Sequence, residues 1–356
     1  MTFLWLNLAF VYIFSFFSRY AATTDLESPV SIKPNKLLVF ASLVTLVAVS
    51  GLRSNIGDTF SYVHSFETND FTWEYILSQK DVGFGVLQMV LQNYVSADPQ
   101  ILIFTTALIT NLLIIMVFYN YSRMIEISLY VYITGGLFLV SMNGIRQVLA
   151  AAIAFTAIKY LINGNLLKYS FVVIFASLFH QSALILLPIY FLVRFKAWSS
   201  ATVTLILFSI LIVIGYERFS ALLFSAIDGS QYGHYSGFAE GGANFIRVVV
   251  HFVPIILAYL GREKLKKIFP ASDYIVNMAL VGSIFMLIST QNWIFARFAI
   301  YFQLYQLILI SWIVKLFSKK DQRLIYFGIL VCYLAYYIYE NVMTLNINYR
   351  SDYLFW

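Results

Sequence analysis

Two arginines stand near the start of apolar segments, where a helix attracts anions. Arg146 follows Asn143-Gly144, a turn signal between two apolar runs, and therefore lies in the first turn of the second run. Arg297 lies near the start of another apolar run, four residues before Tyr301 on the same helix face. Phosphate binds where the free N–H groups and the dipole of a helix start lie beside a guanidinium. We predict that both arginines bind an anionic substrate, with Gln147 and Tyr301 in the same site.

Two further arginines are assigned to the substrate-binding set. Arg53 opens a loop that also contains Asp58, and the two side chains could pair near the lipid boundary. Arg247 precedes His251 by four residues, so both lie on one helix face. The structural alternative for Arg53 is a salt bridge that orders the loop. For Arg247 it is a simple interfacial pair with His251.

Two residues could serve as a general base, and with the arginines they suggest a reaction. His180 lies with Gln181 and Ser182 between two apolar runs, and an imidazole can accept a proton. Asp58 is the other candidate. The arginines would hold a lipid diphosphate and stabilise it as a leaving group, while the base deprotonates an acceptor hydroxyl. This combination favours glycosyl transfer without a nucleotide sugar.

The sequence carries no motif for a resident metal or cofactor. It contains no GxxxxGK[ST], HExxH or GxSxG motif. Its single cysteine, Cys332, excludes a Cys-based metal site and a disulfide framework. We therefore predict no cofactor and no metal ligands.

The elements that must position these residues are membrane helices. The 356 residues are 61% hydrophobic and 11% charged, which excludes a soluble enzyme, a disordered chain and a nucleic-acid-binding domain. We predict an all-α polytopic membrane protein in which residues 1–356 form one domain. About twelve apolar runs approach the roughly 20 residues that a spanning helix needs. They are 3–18, 37–52, 100–120, 127–143, 145–161, 169–181, 182–195, 201–216, 246–261, 272–290, 294–314 and 324–340.

The distribution of basic residues orients these helices. Most of the 23 Lys and Arg residues fall in loops on one side, which is therefore the cytoplasmic side of the cell membrane. Both termini then lie outside, together with two long loops, 53–99 and 217–245, and the tail 343–356. The apolar stretch 82–95 is too short to span comfortably, and we interpret it as interfacial or re-entrant. We expect the function at the outer face, where the loops and isolated arginines lie.

Five segments resemble the EpsG family of bacterial exopolysaccharide biosynthesis, within the wider Wzy-like polysaccharide polymerase group. The segments are Pro34–Leu38, Val49–Arg53, Asn143–Gln147, Ser177–Leu184 and Ile294–Arg297. The resemblance runs through most of the chain. It implies a core like that of GT-C-type membrane glycosyltransferases. It also implies a polymerase that joins, outside the membrane, repeat units carried on undecaprenyl diphosphate.

The resemblance implies partners and site residues as well. Donor and acceptor would both be undecaprenyl-diphosphate-linked oligosaccharides in the membrane lipid, with a flippase and a chain-length regulator of the same pathway as partners and no nucleic acid. Arg53, Arg146, His180 and Arg297 lie in the matching segments and inherit the site assignment. Two alternatives stay open: a lipid-linked oligosaccharide flippase or other transporter, and a non-catalytic scaffold that would tolerate the loss of single arginines.

Overall fold

The computed structural model describes residues 1–24, 30, 32–226 and 241–354. Within these residues the chain is almost entirely helical, which confirms the all-α prediction. One small antiparallel sheet joins β1 (Thr23–Thr24) to β2 (Ile32–Lys33). The α-helices of the described residues are α1 (Thr2–Tyr20), α2 (Lys36–Gly51), α3 (Thr59–Thr68), α4 (Trp73–Ser78), α5 (Val82–Tyr94), α6 (Gln100–Tyr121), α7 (Ile125–Thr134), α8 (Leu137–Asn143), α9 (Ile145–Phe155), α10 (Ile158–Ile162), α11 (Leu166–Ser177), α12 (Leu186–Leu192), α13 (Ser200–Ile214), α14 (Tyr216–Ala226), α15 (Phe245–Leu260), α16 (Arg262–Ile268), α17 (Ser272–Ile288), α18 (Ile294–Ile313) and α19 (Gln322–Tyr337). In the described part of the chain, two 3-10 helices cover Gln181–Ile185 and Val314–Leu316, and a π-helix covers Ile338–Thr344.

Several of these helices are long and apolar enough to cross a membrane. Four described helices qualify alone: Thr2–Tyr20, Gln100–Tyr121, Ile294–Leu316 and Gln322–Thr344. Three bent pairs, made of α7 with α8, α13 with α14, and α15 with α16, raise the number to seven if each pair counts as one span. The chain is therefore a membrane protein. The predicted count of about twelve spans is not confirmed, because the remaining predicted runs form helices that are too short by this measure.

The centre of the bundle is built from α7, α9, α17 and α18, whose residues are buried on nearly every side. α17 packs along α18, and α18 also packs on α7 and α9. The surrounding helices α1, α2 and α19 expose large apolar side chains, among them Phe17, Phe40 and Phe327. An apolar outer surface around a packed interior is the distribution that a lipid environment favours.

Two breaks divide the central helical path and bring its polar residues to one end of the bundle. Gly136 adopts a φ of +87°, a conformation that favours glycine, and α8 is bent by 57° relative to α7. A second break at Gly144 ends α8 and lets α9 begin one residue later. Arg146 and Gln147 therefore stand in the first turn of α9, as the sequence predicted.

Both ends of the chain meet at this same end of the bundle. The Tyr349 hydroxyl donates to the carbonyl of Val49 at 2.8 Å, and the Arg350 N–H donates to Asn55 Oδ1 at 2.7 Å. The ring of Phe3 lies 5.7 Å from that of Tyr349, centroid to centroid. The N-terminus and the C-terminal tail therefore share one end of the bundle. That this end faces outward stays a prediction.

The two long predicted loops contain further helices where the structure describes them. Loop 53–99 holds α3, α4 and α5. The apolar stretch predicted at 82–95 is α5, whose first turn docks on the chain after α11, since the Gly83 N–H donates to the Leu178 carbonyl at 2.7 Å. Loop 217–245 begins within α14, and its residues 227–240 lie outside the described part of the chain.

Candidate functional site

A cavity of about 460 Å³ lies at the end of the bundle where the termini meet, and Leu345 and Ile347 of the tail contribute to its wall. The starts of α9, α15 and α18 form much of the remaining wall, with the turn before α3 and the π-helix. Most of the predicted site residues line it, namely Asp58, Arg146, Gln147, His180, Arg247 and Arg297. The structure thus brings these six side chains to one cavity, while their roles stay predictions.

Arg146 is held by a carboxylate that the sequence analysis did not single out. Its Nη1 donates to Asp81 Oδ2 at 2.8 Å, and Asp81 Oδ1 accepts the Gln181 N–H at 3.2 Å. The guanidinium also lies over the ring of Tyr62, 6.0 Å from its centroid. Burial raises the pKa of the Asp81 carboxyl above its ordinary value, and the neighbouring Arg146 offsets part of that rise. Asp81 therefore joins the start of α9 to the residue beside His180.

A chain of hydrogen bonds runs from His180 into the core. His180 Nδ1 lies 2.7 Å from Ser182 Oγ, and Ser182 Oγ lies 2.8 Å from the Tyr301 hydroxyl. Tyr301 is 1% exposed and lies behind the cavity wall. The sequence predicts that Tyr301 binds substrate, but Tyr301 is not among the residues that line the cavity. Tyr301 lies one turn beyond Arg297 in α18, and its hydroxyl bonds to Ser182 in the segment after α11. It therefore supports His180 through Ser182.

Arg297 differs from the other two arginines of the cavity because it has no carboxylate partner in the described part of the chain. Within residues 1–24, 30, 32–226 and 241–354, no ion pair includes Arg297. Its guanidinium lies over the ring of Trp293, 4.7 Å from the centroid. Gln147 Nε2 donates to the Arg297 carbonyl at 2.8 Å and so fixes the start of α18 against α9. The positive charge of Arg297 is therefore available to an anion.

Arg247 is paired with a second carboxylate that the sequence analysis missed. Its Nε donates to Glu340 Oε1 at 2.8 Å, and its Nη2 bonds to the same oxygen. Close by, Asn244 Nδ2 donates to the Tyr339 hydroxyl at 2.7 Å. These bonds join the start of α15 to the π-helix. His251, one turn further along α15, also lines the cavity.

Arg53 lies outside the cavity lining, and the pair expected between it and Asp58 is not among the ion pairs of the described residues. The Arg53 side chain is 1% exposed. Its guanidinium donates to the Ser50 carbonyl, to the Met142 carbonyl at 2.7 Å and to Thr59 Oγ1 at 3.0 Å. Ser50 and Met142 lie in the last turns of α2 and α8, whose carbonyls carry partial negative charge. Arg53 therefore ties two helix ends together.

Asp58 is placed at the cavity by a glycine turn. Its N–H donates to Asn143 Oδ1 at 2.9 Å, and Gly57 before it has a φ of +52°. A Cβ at Gly57 would lie 2.1 Å from Asn143 Oδ1, so only glycine fits this approach. The turn therefore docks directly on the end of α8, and the exposed Asp58 lines the cavity.

The missed carboxylates gave a weak signal in the sequence. Asp81 directly precedes the apolar stretch at 82–95, and Glu340 closes the apolar run at 324–340. An acid at the border of an apolar segment needs a partner or solvent. Their partners, Arg146 and Arg247, are 65 and 93 residues away in the chain, beyond the reach of local patterns.

A second, larger cavity is much less suited to an anion. It measures about 640 Å³ and lies between α12, α13 and α17, with a mostly apolar lining and no charged side chain. Phe191 and Phe208 are among its lining residues. As for metals, no three His, Cys, Asp or Glu side chains of the described residues are grouped so that they could hold an ion. The chemistry available to the chain is therefore concentrated in the smaller cavity.

Comparison with known proteins gives one informative match. No curated protein and no solved structure matches the chain significantly, so the predicted likeness to a GT-C-type core stays a prediction. The model of the EpsG family matches residues 36–351, which is most of the chain. All the cavity residues described above lie within this range. The chain therefore belongs to the EpsG family.

Proposed function

We propose that this protein is an exopolysaccharide polymerase at the outer face of the cytoplasmic membrane. It transfers a glycan from a polyprenyl diphosphate onto the next lipid-linked repeat unit. Membership of the EpsG family gives the chain a role in exopolysaccharide biosynthesis. The observation that carries the more specific proposal is that Arg297, without a carboxylate partner among the described residues, shares one cavity with His180 and Asp58.

Arg297 is the diphosphate anchor in this proposal. Arg146 and Arg247 each have a buried carboxylate partner, which neutralises much of their charge. Arg297 keeps its charge for a ligand, and Trp293 holds its guanidinium in place. A cation fixed in advance beside a departing diphosphate stabilises the negative charge that develops on the leaving oxygen. Arg146 and Arg247 then serve as oriented donors at the edges of the cavity.

The reaction requires one proton transfer and one bond exchange at the donor sugar. The acceptor hydroxyl oxygen attacks the anomeric carbon, and a new C–O bond forms. The bond from that carbon to the diphosphate oxygen breaks, and its electron pair leaves with the diphosphate. The hydroxyl proton passes to a base. His180 is the better candidate in the tautomer whose Nδ1–H donates to Ser182 Oγ, because Nε2 is then the nitrogen that accepts the proton. Asp58 is the second candidate, although no described residue orients its carboxylate in a comparable way.

A substitution test in a producing cell addresses the proposal. We expect Arg297→Ala to reduce polymer roughly a hundredfold or more, because one group that stabilises a leaving charge contributes about that factor. Lipid-linked single repeat units should then accumulate outside the membrane. Arg297→Lys keeps the charge but loses the planar fork, and should recover part of the polymer.

The matched control is Arg218→Ala, which removes an exposed arginine of α14 that lines neither cavity. Membrane levels of all variants are measured by immunoblotting. Repeat units trapped on the inner side would indicate transport instead of polymerisation. Normal polymer from Arg297→Ala at a normal membrane level would contradict the assignment and favour a scaffold.

A further inference from the structure

Three buried side-chain atoms at the cavity have no hydrogen-bond partner among the described residues. They are Nδ1 of His251, Oε2 of Glu340 and Nδ2 of Asn341, and all three residues line the cavity. Glu340 is 4% exposed and Asn341 is 3% exposed. Buried polar atoms in folded proteins are nearly always paired, because leaving one unpaired costs free energy. Three such atoms in residues that line one cavity indicate a ligand that completes their hydrogen bonds.

The part of the cavity wall formed by His251, Glu340 and Asn341 is called the saccharide wall below. Its backbone is fixed without a ligand. The His251 carbonyl accepts hydrogen bonds from Ser283 Oγ at 3.2 Å and from Gln306 Nε2 at 2.8 Å. On the other side, Glu340 and Asn341 belong to the π-helix, an irregularity that often occurs at functional sites. The unpartnered atoms therefore stand on a framework that other contacts already hold.

The chemistry of the saccharide wall selects against an anion and for hydroxyl groups. Arg247 neutralises the charge of Glu340 through Oε1, and the unpartnered Oε2 can only accept a hydrogen bond. The Asn341 amide can only donate through Nδ2, and a neutral imidazole nitrogen can do either. A phosphate oxygen would be repelled by Oε2. A neutral ring with several hydroxyls can donate to the carboxylate and accept from the amide at the same time.

We propose that the saccharide wall is a glycan subsite that binds sugar hydroxyls of the repeat unit, separate from the diphosphate anchor at Arg297. This inference rests on the proposed function, because it assigns the sugar and the diphosphate of one substrate to different walls of one cavity. The wall recognises the glycan and takes no part in the bond exchange.

Binding to the purified full-length protein in nanodiscs tests the subsite with two probes. The first is the free oligosaccharide repeat unit, released by mild acid from the lipid-linked pool of cells that lack this protein. The second is undecaprenyl diphosphate. We expect Asn341→Ala and His251→Ala each to weaken oligosaccharide binding roughly tenfold, as the loss of a hydrogen bond in a buried site does. Both variants should bind undecaprenyl diphosphate within twofold of the wild type. Arg297→Ala should show the opposite pattern.

Asn7→Ala is the matched control. Asn7 lies in α1 and is 1% exposed, and its side-chain amide also has no partner among the described residues, but it does not line the cavity. It should bind both probes like the wild type. Thermal unfolding shows which variants are folded, and His251→Ala tests the wall from a different helix if Asn341→Ala does not fold.

Wild-type affinity of folded Asn341→Ala and His251→Ala for the oligosaccharide would overturn the subsite, as would failure of the wild-type protein to bind it. The proposed function fails by a different result. If Arg297→Ala makes normal polymer in the cell while oligosaccharide binding still depends on Asn341, the glycan subsite stands and the polymerase assignment falls.

Discussion

The two ends of the bundle carry the same kind of ion pair with different surroundings. At the cavity end, Asp81 pairs with Arg146, and Glu340 pairs with Arg247. At the opposite end, where α1 ends and α7 begins, Glu126 pairs with Arg19. In all three pairs the carboxylate is buried and the arginine is partly exposed, at 44%, 31% and 26% of its side chain. The chemical groups are therefore nearly identical.

The difference lies in what surrounds each pair. Glu126 and Arg19 line neither of the two cavities, although Glu126 also has a buried oxygen with no partner among the residues that the structure describes. The pairs at the other end border an open cavity, an unpaired arginine and further unpartnered polar atoms. A buried ion pair by itself joins helices. An ion pair can belong to a binding site when it borders space for a ligand and when neighbouring polar atoms lack hydrogen-bond partners.

The largest expected effect comes from removing the arginine of one pair at each end. Arg146→Ala and Arg19→Ala each leave a buried carboxylate unpaired, which costs at least about 1–3 kcal/mol of folding free energy, because the group left behind is charged. We expect both to lower the unfolding temperature of the purified protein by similar amounts. Only Arg146→Ala should also lose polymer per folded molecule, by roughly a hundredfold.

That comparison is measured as polymer per unit of folded protein, from fluorescence-detected size exclusion of membrane extracts. Equal losses per folded molecule in the two variants would show that the arginines act through stability alone. The distinction between the two ends of the bundle would then be lost.

An intermediate effect is expected from neutralising the carboxylates. Asp81→Asn keeps an oxygen for the Gln181 N–H but loses the charge that orients Arg146, so activity should fall roughly tenfold. Burial raises the pKa of Asp81. As the pH falls through this raised pKa, protonation neutralises the carboxylate, and wild-type activity should decline at a higher pH than an ordinary Asp would cause.

In Asp81→Asn the part of this decline that protonation of Asp81 causes should disappear, because no proton can be added at that position. The loss of activity caused by protonation of His180, the proposed base, should remain. Asp98→Asn is the local control, since Asp98 lies in the same loop, is exposed and its carboxylate accepts the Gln100 N–H. Glu126→Gln is the control at the opposite end. Both controls should keep the wild-type pH profile. If activity in Asp81→Asn declined at low pH as it does in the wild type, the decline would belong to another titratable group.

The smallest expected effect concerns the hydrogen bonds behind His180. Tyr301→Phe removes the hydroxyl that bonds to Ser182, and we expect kcat to fall about three- to tenfold with little change in KM. Tyr305→Phe is the control one turn further along α18. Its hydroxyl is buried without a hydrogen-bond partner among the described residues and should be dispensable. A larger loss in Tyr305→Phe than in Tyr301→Phe would contradict the supporting role of Tyr301.

Much of the helical arrangement follows from local pattern, since each predicted apolar run coincides with a helix or a broken helix. Polar residues at one end of these runs also indicated where a site would form, and six of them line one cavity. The pairing of Arg146 with Asp81 and of Arg247 with Glu340 depends on tertiary packing, which no local spacing encodes. Arg53 shows the same limit. Its position at a loop start resembles that of a ligand-binding arginine, yet packing buries it between the ends of α2 and α8.

In the proposed function, this single chain joins lipid-linked repeat units at the cavity around Arg297. The most direct measurement supplies purified protein in proteoliposomes with lipid-linked repeat units alone, without nucleotide sugars. We expect polymer of increasing length and release of one polyprenyl diphosphate for each bond formed. Arg297→Ala should give neither product, whereas Arg218→Ala should give both. Folded wild-type protein that releases no polyprenyl diphosphate and forms no polymer would contradict the claim.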